Sequence, residues 1–281
     1  MAIEFIASRE TLIQANPDVQ LITVRWPLPA NPARIVGMPT VREYYADEAE
    51  KVLLPARRRL RKAGLNATPR FVIGRAASEI AAAADKEKVD LLVLGSHGHS
   101  AIGGLLLGSV TNEVLARTKT AMLIVRGKSK RYTDSLRVGI AVDGSSYGRK
   151  AVKFVLQHLD LFGANPQLTL IHAVQDFALT ALPMYGIAMP AFSESEVRAF
   201  QDKAFAEAMK TARAQLQKTG TKADEVRLIG NAGIELSKYT NKKLDLLVMG
   251  SHGYGAFKAA VMGSVATRVT AHCTMPLLLV R

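Results

Sequence analysis

The chain has a single cysteine, Cys273, and few aromatic residues, which make up 6% of the sequence. One cysteine cannot form a disulfide within the chain or a metal site that needs several cysteines. No apolar run reaches the ~18 residues that span a bilayer, and the longest runs, such as 91–94 and 277–280, have the length of buried β-strands. Residues 1–5 lack the basic and then apolar segments of a signal peptide. We therefore expect a soluble cytoplasmic protein.

Composition and length indicate two folded domains. Hydrophobic residues make up 48% and charged residues 22% of the 281 residues, which excludes global disorder. At about 150 residues per domain, two domains are expected, each long enough to build its own core.

The chain is basic, with a net charge of +13, which is compatible with nucleic acid, an anionic surface or phosphorylated ligands as partners. The densest basic cluster lies in an amphipathic stretch that begins near Val41. It comprises Arg57, Arg58, Arg59, Arg61 and Lys62. No aromatic side chains are interleaved with the cluster for base stacking, so we interpret it as a solvated helix face rather than a nucleic-acid contact.

An internal repeat organises the chain. Three pairs of segments share an offset of 155 residues: 90–98 and 245–253, 108–110 and 263–265, and 123–126 and 278–281. Upstream, residues 2–6 resemble residues 151–155. We therefore predict two tandem copies of one domain, with copy one at 1–127, a polar and basic linker at 128–134, and copy two at 135–281.

Copy two alternates predicted strands and helices. The predicted strands are 136–142, 168–174, 225–229, 244–249 and 277–280. Helical patterns follow the turn at 143–146 through about 161, begin at 194 after Ser193 or Ser195 as N-cap, and recur at 234–239 and from Ser264. Strands that are apolar on both faces and alternate with helices predict a parallel sheet covered on both sides. Such sheets bind ligands beyond the carboxyl ends of their strands.

After a buried strand, each copy carries Gly-x-x-Gly, nine further residues and then Gly-Ser. The residues are Gly95, Gly98, Gly108 and Ser109 in copy one, and Gly250, Gly253, Gly263 and Ser264 in copy two. Glycine lets backbone N–H groups approach a ligand closely, and the N-terminus of the following helix offers unpaired donors that suit phosphate. The simpler interpretation is that the glycines only close strand-to-helix turns. The serines either cap their helices or donate hydroxyls to phosphate.

At these motifs the chain resembles the universal stress proteins of the ATP-binding subgroup, whose Gly-2x-Gly-9x-Gly-(Ser/Thr) pattern both copies meet. The resemblance covers nearly the whole chain. It implies an α/β fold of two tandem Rossmann-like domains (adenine nucleotide alpha hydrolase-like), each a parallel five-stranded sheet in the order 3-2-1-4-5 with helices on both faces. It also implies that the glycine turn and the Gly-Ser pair hold ribose and phosphates.

The resemblance further implies which residues contact the nucleotide. In copy two they are Ala141, Val142, Asp143, Val174, Met249, Gly250, His252, Gly253, Gly263, Ser264 and Val265. In copy one they are Gly95, Gly98, Gly108, Ser109 and Val110. The carboxylate of Asp143 can accept hydrogen bonds from ribose hydroxyls or the adenine amine, or it can form an Asx-turn with Gly144.

Copy one departs from the family pattern because nothing in it corresponds to residues 136–146, so the first strand and its aspartate are missing. In the family order that strand is central, and its loss leaves the neighbouring strand edges unpaired. Either the native chain begins further upstream, or this chain is shortened, or copy one closes without the strand and has a damaged adenine pocket. We favour the first explanation, and we expect nucleotide binding to be less secure in copy one than in copy two.

Other residues allow fewer conclusions. His97 and His252, inside the glycine turns, either contact phosphate or are exposed turn residues, and no residues cluster at zinc-ligand spacing. Neither Ser145 nor Ser251 lies in a Gly-x-Ser-x-Gly nucleophile motif. The apolar loop 177–192 either covers the pocket or is buried at a domain or subunit contact.

We expect a non-enzymatic stress-response protein that binds ATP, with Mg²⁺, and changes its shape or partners with occupancy. No general base is evident, so hydrolysis is not predicted. The rival hypotheses are a nucleotide-free interaction scaffold and an adenylating enzyme. Related enzymes carry a Ser-Gly-Gly-x-Asp-Ser loop after strand one, where this chain has 143–146, Asp-Gly-Ser-Ser, which argues against the enzyme. By family analogy the two domains pair through their last strands. Homodimerisation and an unidentified protein partner are further expectations, and neither a membrane nor nucleic acid is an expected partner.

Overall fold

The structure, a computed structural model, describes residues 1–28, 37–96, 107–126, 135–176, 192–253 and 262–281. The chain divides into two compact units. Unit 1 contains the strands and helices of copy one, and unit 2 contains the strands and α-helices of copy two.

The described residues of unit 1 contain four strands, which pair in parallel within the unit as β1 with β2 and β3 with β4. The strands are β1 Val19–Arg25, β2 Ala67–Ile73, β3 Leu91–Gly95 and β4 Ala121–Val125. The helices are α1 Ala2–Ala7, α2 Glu10–Gln14, α3 Met38–Lys62, α4 Ala76–Glu87 and α5 Ser109–Arg117. One cluster of the core joins α1 and α3 through Ala7, Leu60 and Leu65.

The prediction that copy one lacks its first strand is confirmed for the described residues. No described strand precedes β1, and no described strand pairs with the second edge of β1 or of β3. The effect on burial is visible along β3, where every residue is only half-buried. In an α/β unit this strand would be covered by a neighbour on each side.

Unit 2 is built on five parallel strands. They are β5 Arg137–Ala141, β6 Gln167–Val174, β7 Asp224–Ile229, β8 Leu246–Gly250 and β9 Leu277–Val280. Within unit 2 they lie in the order β7-β6-β5-β8-β9, which confirms the 3-2-1-4-5 order that the resemblance implied. Every residue of β8 and β9 is buried, because apolar side chains on both faces of these strands meet the core.

Four α-helices among the described residues connect the strands of unit 2. They are α6 Ser146–Gln157, α7 Glu194–Thr219, α8 Ala232–Lys243 and α9 Ser264–His272, and a 3₁₀ turn Leu159–Phe162 follows α6. Ser193 starts α7 with a capping box, in which its hydroxyl accepts from Glu196 N and the Glu196 side chain accepts from Ser193 N. No helix among the described residues is long and apolar enough to cross a membrane.

Candidate functional site

The candidate site of unit 2 lies where the strand order reverses. β5 pairs with β6 on one edge and with β8 on the other, so the connections that follow β5 and β8 leave in different directions. A crevice forms between the carboxyl ends of these two strands. In open parallel sheets, this crevice is where ligands bind. Ala141 and Met249 stand opposite each other in the β5–β8 register at this end of the sheet. Val142 is buried, and its N–H donates to the carbonyl of Ile171 at 2.9 Å.

Asp143 lies two residues after the end of β5, and its two carboxylate oxygens have different neighbours. Oδ1 accepts a hydrogen bond from Ser145 N at 3.0 Å, and Gly144 between them has φ +80°. The Asx-turn interpretation of this residue is therefore correct. Oδ2 makes no hydrogen bond with any described residue, which leaves it able to accept one from a ligand. One carboxylate can thus shape the turn and still offer an acceptor.

Gly253 and Gly250 are close to other parts of the site for different reasons. A Cβ at Gly253 would lie 2.6 Å from Oδ2 of Asp143, so the absence of a side chain there keeps the carboxylate in place. A Cβ at Gly250 would lie 2.6 Å from the Cβ of Tyr147, on α6. Gly250 therefore allows β8 and α6 to pack closely, while Gly253 directly shapes the crevice.

The second half of the glycine motif packs against the first. Gly263 N donates to Ser251 O at 2.9 Å, and Ser251 N donates to Val280 O at 2.8 Å. Gly263 is the N-cap of α9 and provides no side-chain cap. Ser264 is the first residue of the helix, is exposed, and its hydroxyl bonds to no described residue. The capping interpretation of Ser264 is therefore wrong, and this helix N-terminus has donors available for an anion.

His252 lies inside the turn and is half-buried. Its Nδ1 is 3.0 Å from the Ser251 hydroxyl, and its ring centroid is 5.2 Å from that of Tyr147. These contacts hold the half-buried ring within the turn, and a contact between His252 and phosphate stays a prediction. Its counterpart His97, together with Gly98, lies outside the described residues.

A cavity of about 510 Å³ opens beside the N-terminus of α9, between the carboxyl ends of β6 and β7. It is lined by Ala173, Gln175, Asp176, Gly230, Asn231, Ala232, Ser264, Val265 and Arg268. Of the predicted site residues, Ser264 and Val265 line it. Val174 is buried, and its carbonyl accepts from Gly230 N at 2.9 Å, so its two sequence neighbours face the cavity instead.

The sequence reasoning missed most of the cavity wall. Gly230 and Asn231 follow β7, and their position at the carboxyl end of a predicted strand was the available signal. Arg268 lies one helical turn after Ser264, and it makes no ion pair with a described residue. A guanidinium beside an uncapped helix N-terminus adds positive charge where the motif predicts phosphate.

Unit 1 retains part of this arrangement. Gly108 N donates to Ser96 O at 2.8 Å, as Gly263 does to its partner, and Gly108 likewise starts its helix without a side-chain cap. Gly95 ends β3, while Ser109 and Val110 are exposed on α5. The part of unit 1 that the structure describes has no counterpart of the strand that carries Asp143.

Among the described residues, no group of three His, Cys, Asp or Glu side chains could hold a metal ion. The linker 128–134 and all of the apolar loop 177–192 except its last residue lie outside the described residues. The interpretations of that loop therefore stay predictions.

Comparisons with known proteins show which family the chain resembles along most of its length. The model of the universal stress protein family matches residues 3–126 and 136–281. A universal stress protein of Mycolicibacterium smegmatis is 26% identical over 204 residues, which are 69% of this chain and 63% of that protein. Universal stress protein MJ0577 of Methanocaldococcus jannaschii is 31% identical over 83 residues, 30% of this chain and 51% of the relative. The chain thus spans less than two thirds of the length of either relative.

Solved structures share the fold. A universal stress protein from Archaeoglobus fulgidus superposes with a TM-score of 0.64 at 21% identity, covering 99% of this chain and 93% of that one. A protein of unknown function from Pseudomonas aeruginosa gives a TM-score of 0.62 at 14% identity, covering 96% and 85%. At these identities the likeness concerns the fold alone.

Proposed function

The chain belongs to the universal stress protein family, and from this premise we propose that unit 2 binds ATP as a non-enzymatic stress-response or regulatory factor. The ribose hydroxyls bond to Oδ2 of Asp143, the adenine base lies at that end beside Val142, and the phosphates lie on the N-terminus of α9 with Ser264 and Arg268. Occupancy then changes the shape of the crevice and the partners that the protein binds.

One observation supports this proposal most strongly. The glycine at 253 leaves Oδ2 of Asp143 without a bond partner among described residues, and any Cβ there would press on that oxygen at 2.6 Å. A turn that only had to connect β8 to α9 would have no need to keep a carboxylate oxygen available. The hydroxyl of Ser264 supports the same proposal from the phosphate side.

Magnesium accompanies the nucleotide in this proposal. Mg²⁺ in nucleotide sites is held largely by the phosphates and water, with one or two carboxylates. The described residues provide no preformed cluster of metal ligands, so the ion would arrive on the triphosphate.

The absence of catalysis is part of the proposal. Ser145, the serine nearest Asp143, has a structural role, because its hydroxyl accepts from Gly148 N at 3.1 Å as the N-cap of α6. An adenylating enzyme would require a loop different from residues 143–146. Release of pyrophosphate with candidate acceptors would revive that alternative.

Isothermal titration with Mg-ATP tests the proposal. We expect saturable binding by the natural chain and at least about tenfold weaker binding by Asp143→Asn, because loss of a charged acceptor costs about 1.5–3 kcal/mol. The amide oxygen of asparagine can still accept from Ser145 N, so the turn is retained. Asp224→Asn, an exposed carboxylate at the start of β7, is the matched control and should bind normally.

The same titration identifies the competing hypotheses. Absence of heat and of a thermal shift at millimolar ATP would favour the nucleotide-free scaffold. Equal weakening by both aspartate substitutions would show that net charge, and not the crevice, determines binding.

A further inference from the structure

We propose that unit 1 carries a second anion site, independent of the glycine motifs, that binds a small molecule bearing two or more phosphate groups. The site is a cavity of about 650 Å³ at the amino ends of β1 and β2. The glycine motif of unit 1 instead follows the carboxyl end of β3. A volume of this size is typical of small-molecule sites.

Three arginines of α3 line this cavity together. Arg57, Arg58 and Arg61 all lie on its wall, and Leu54 and Leu65 provide apolar surface. The Leu65 side chain is buried and forms part of the unit 1 core, so this part of the cavity wall is packed against that core. The arginines therefore converge on a concave surface rather than lie scattered over a convex helix face.

The three guanidinium groups make no ion pair or hydrogen bond with any described residue. The neighbouring Arg59, on another face of α3, donates from Nε to both carboxylate oxygens of Glu4 at 2.8 and 3.0 Å. The basic run thus divides into one arginine that connects α3 to α1 and three that are available to a ligand. Asp18 is the one carboxylate among the described residues of the cavity wall, and it pairs with none of the three.

The repeat shows that the fold does not require these arginines. Gly64 and Gly74 in unit 1 correspond to Gly220 and Gly230 in unit 2, with equal spacing between them. By this alignment Arg57 corresponds to Arg213, whose guanidinium is paired with Glu225 at 2.6 and 2.7 Å.

The other two arginines have no arginine counterpart in unit 2, and the pairing carboxylate has no counterpart in unit 1. Arg58 and Arg61 correspond to Ala214 and Gln217, and the position of Glu225 is Pro69 in unit 1. At the equivalent positions, unit 2 therefore has one arginine, which is neutralised by an ion pair. Unit 1 has three arginines without a partner among the described residues.

The chemistry of the wall determines the ligand class. Guanidinium groups bind phosphate and carboxylate oxygens through paired hydrogen bonds, and three of them match an anion with several negative charges. The hydroxyl of Thr68 and the side-chain amide of Asn66 add hydrogen-bonding groups. None of the described residues that line the cavity is aromatic, so they provide no platform for the base stacking that single-stranded nucleic acid uses. A compact polyphosphate fits these features best.

Titration with inorganic tripolyphosphate at low salt tests the proposal. All variants are made in a chain that carries Ser264→Ala and Arg268→Ala, so that the hydroxyl and the guanidinium offered to phosphate in unit 2 are removed. We expect saturable binding, and at least about tenfold weaker binding when Arg57→Ala and Arg61→Ala are combined, because two charge-assisted contacts are lost. The charge-matched control combines Arg42→Ala and Lys62→Ala, which are exposed on α3 and do not line the cavity, and it should bind within about twofold of its parent.

The outcomes separate this site from simple surface charge. Equal weakening by both double variants, or no saturable binding, would overturn the proposal. Orthophosphate that binds as tightly as tripolyphosphate would contradict the assignment to a multiply phosphorylated ligand. Binding by duplex DNA that competes with tripolyphosphate would indicate a nucleic-acid surface instead. ATP binding at Asp143 is measured separately, so either proposal can fail alone.

Discussion

Asp143 uses its two oxygens for two purposes. Oδ1 fixes the turn that starts α6 by accepting from Ser145 N at 3.0 Å, and Oδ2 is directed toward Gly253. The sequence left these two roles as alternatives, because the type of residue is the same for both. The structure shows that the turn role does not use up the carboxylate, so the ligand role remains available.

The substitution Gly253→Ala should weaken ATP binding by about tenfold or more, because the new Cβ displaces the acceptor oxygen of Asp143. Isothermal titration measures this change. Gly220→Ala is the control: its φ of +65° makes a side chain unfavourable by roughly 1 kcal/mol, but no atom of the site is near. We expect Gly220→Ala to lower the melting temperature and leave ATP affinity unchanged. Unchanged ATP affinity in Gly253→Ala, together with weaker ATP binding in Gly220→Ala, would contradict the assignment of Gly253 to the site.

The elements of unit 2 were predictable where one local signal decided them. β9 was predicted at its observed bounds, because a short apolar run that is buried on both faces has strand length. The helix after β5 was predicted to continue through Leu161, whereas it ends at Gln157. The apolar pattern continues because Leu161 and Phe162 are buried in the 3₁₀ turn that follows. A periodic apolar pattern in the sequence indicates which side chains are buried. It does not distinguish an α-helix from a 3₁₀ turn, because both bury side chains.

The site was predictable only in part, for a reason of the same kind. The glycine motif and Asp143 are continuous with strands that the sequence marks, so their meeting at one edge follows from a parallel sheet. The cavity wall combines Gln175, Asn231 and Arg268 from three separate elements. No local pattern specifies that these residues face each other. Their meeting depends on how the helices pack on the sheet.

The ion pair between α7 and β7 gives a prediction about pH. The Arg213 guanidinium lowers the pKa of Glu225 below its ordinary value of 4.5 through a hydrogen bond, against the smaller effect of burial. Because the folded pKa is lowered, the stabilisation is present above the ordinary pKa and is lost as the pH falls through the lowered value. Glu225→Gln should therefore reduce the free energy of unfolding by about 0.5 kcal/mol at pH 7.

That difference should disappear at strongly acidic pH, where Glu225 is protonated in both states. Chemical denaturation across the pH range measures it. Glu207→Gln, an exposed glutamate on the same helix without an ion pair to a described residue, should show no such pH dependence. A constant difference from acid to neutral pH would contradict the ion-pair explanation.

At the scale of the whole molecule, the two copies are unequal. The family model matches both, and both bring the Gly-Ser helix start onto the strand-end turn by the same backbone hydrogen bond. Only unit 2 has a described strand that places a carboxylate at that turn. Among the described residues, unit 1 has a cavity lined by three arginines, whereas Arg268 is the one arginine on the described wall of the unit 2 cavity. The two proposals together therefore assign ATP to unit 2 and a polyphosphorylated ligand to unit 1.

Native mass spectrometry of the full chain with Mg-ATP tests the central claim most directly. In the chain that carries Arg57→Ala and Arg61→Ala, which removes the proposed polyphosphate site of unit 1, the account predicts an added mass of one ATP, which is lost when Gly253→Ala is added and retained when Gly220→Ala is added. Two bound nucleotides in that chain would contradict the requirement for the Asp143 carboxylate, because unit 1 has no described equivalent. A chain that takes up no nucleotide would contradict the assignment of the glycine turn altogether.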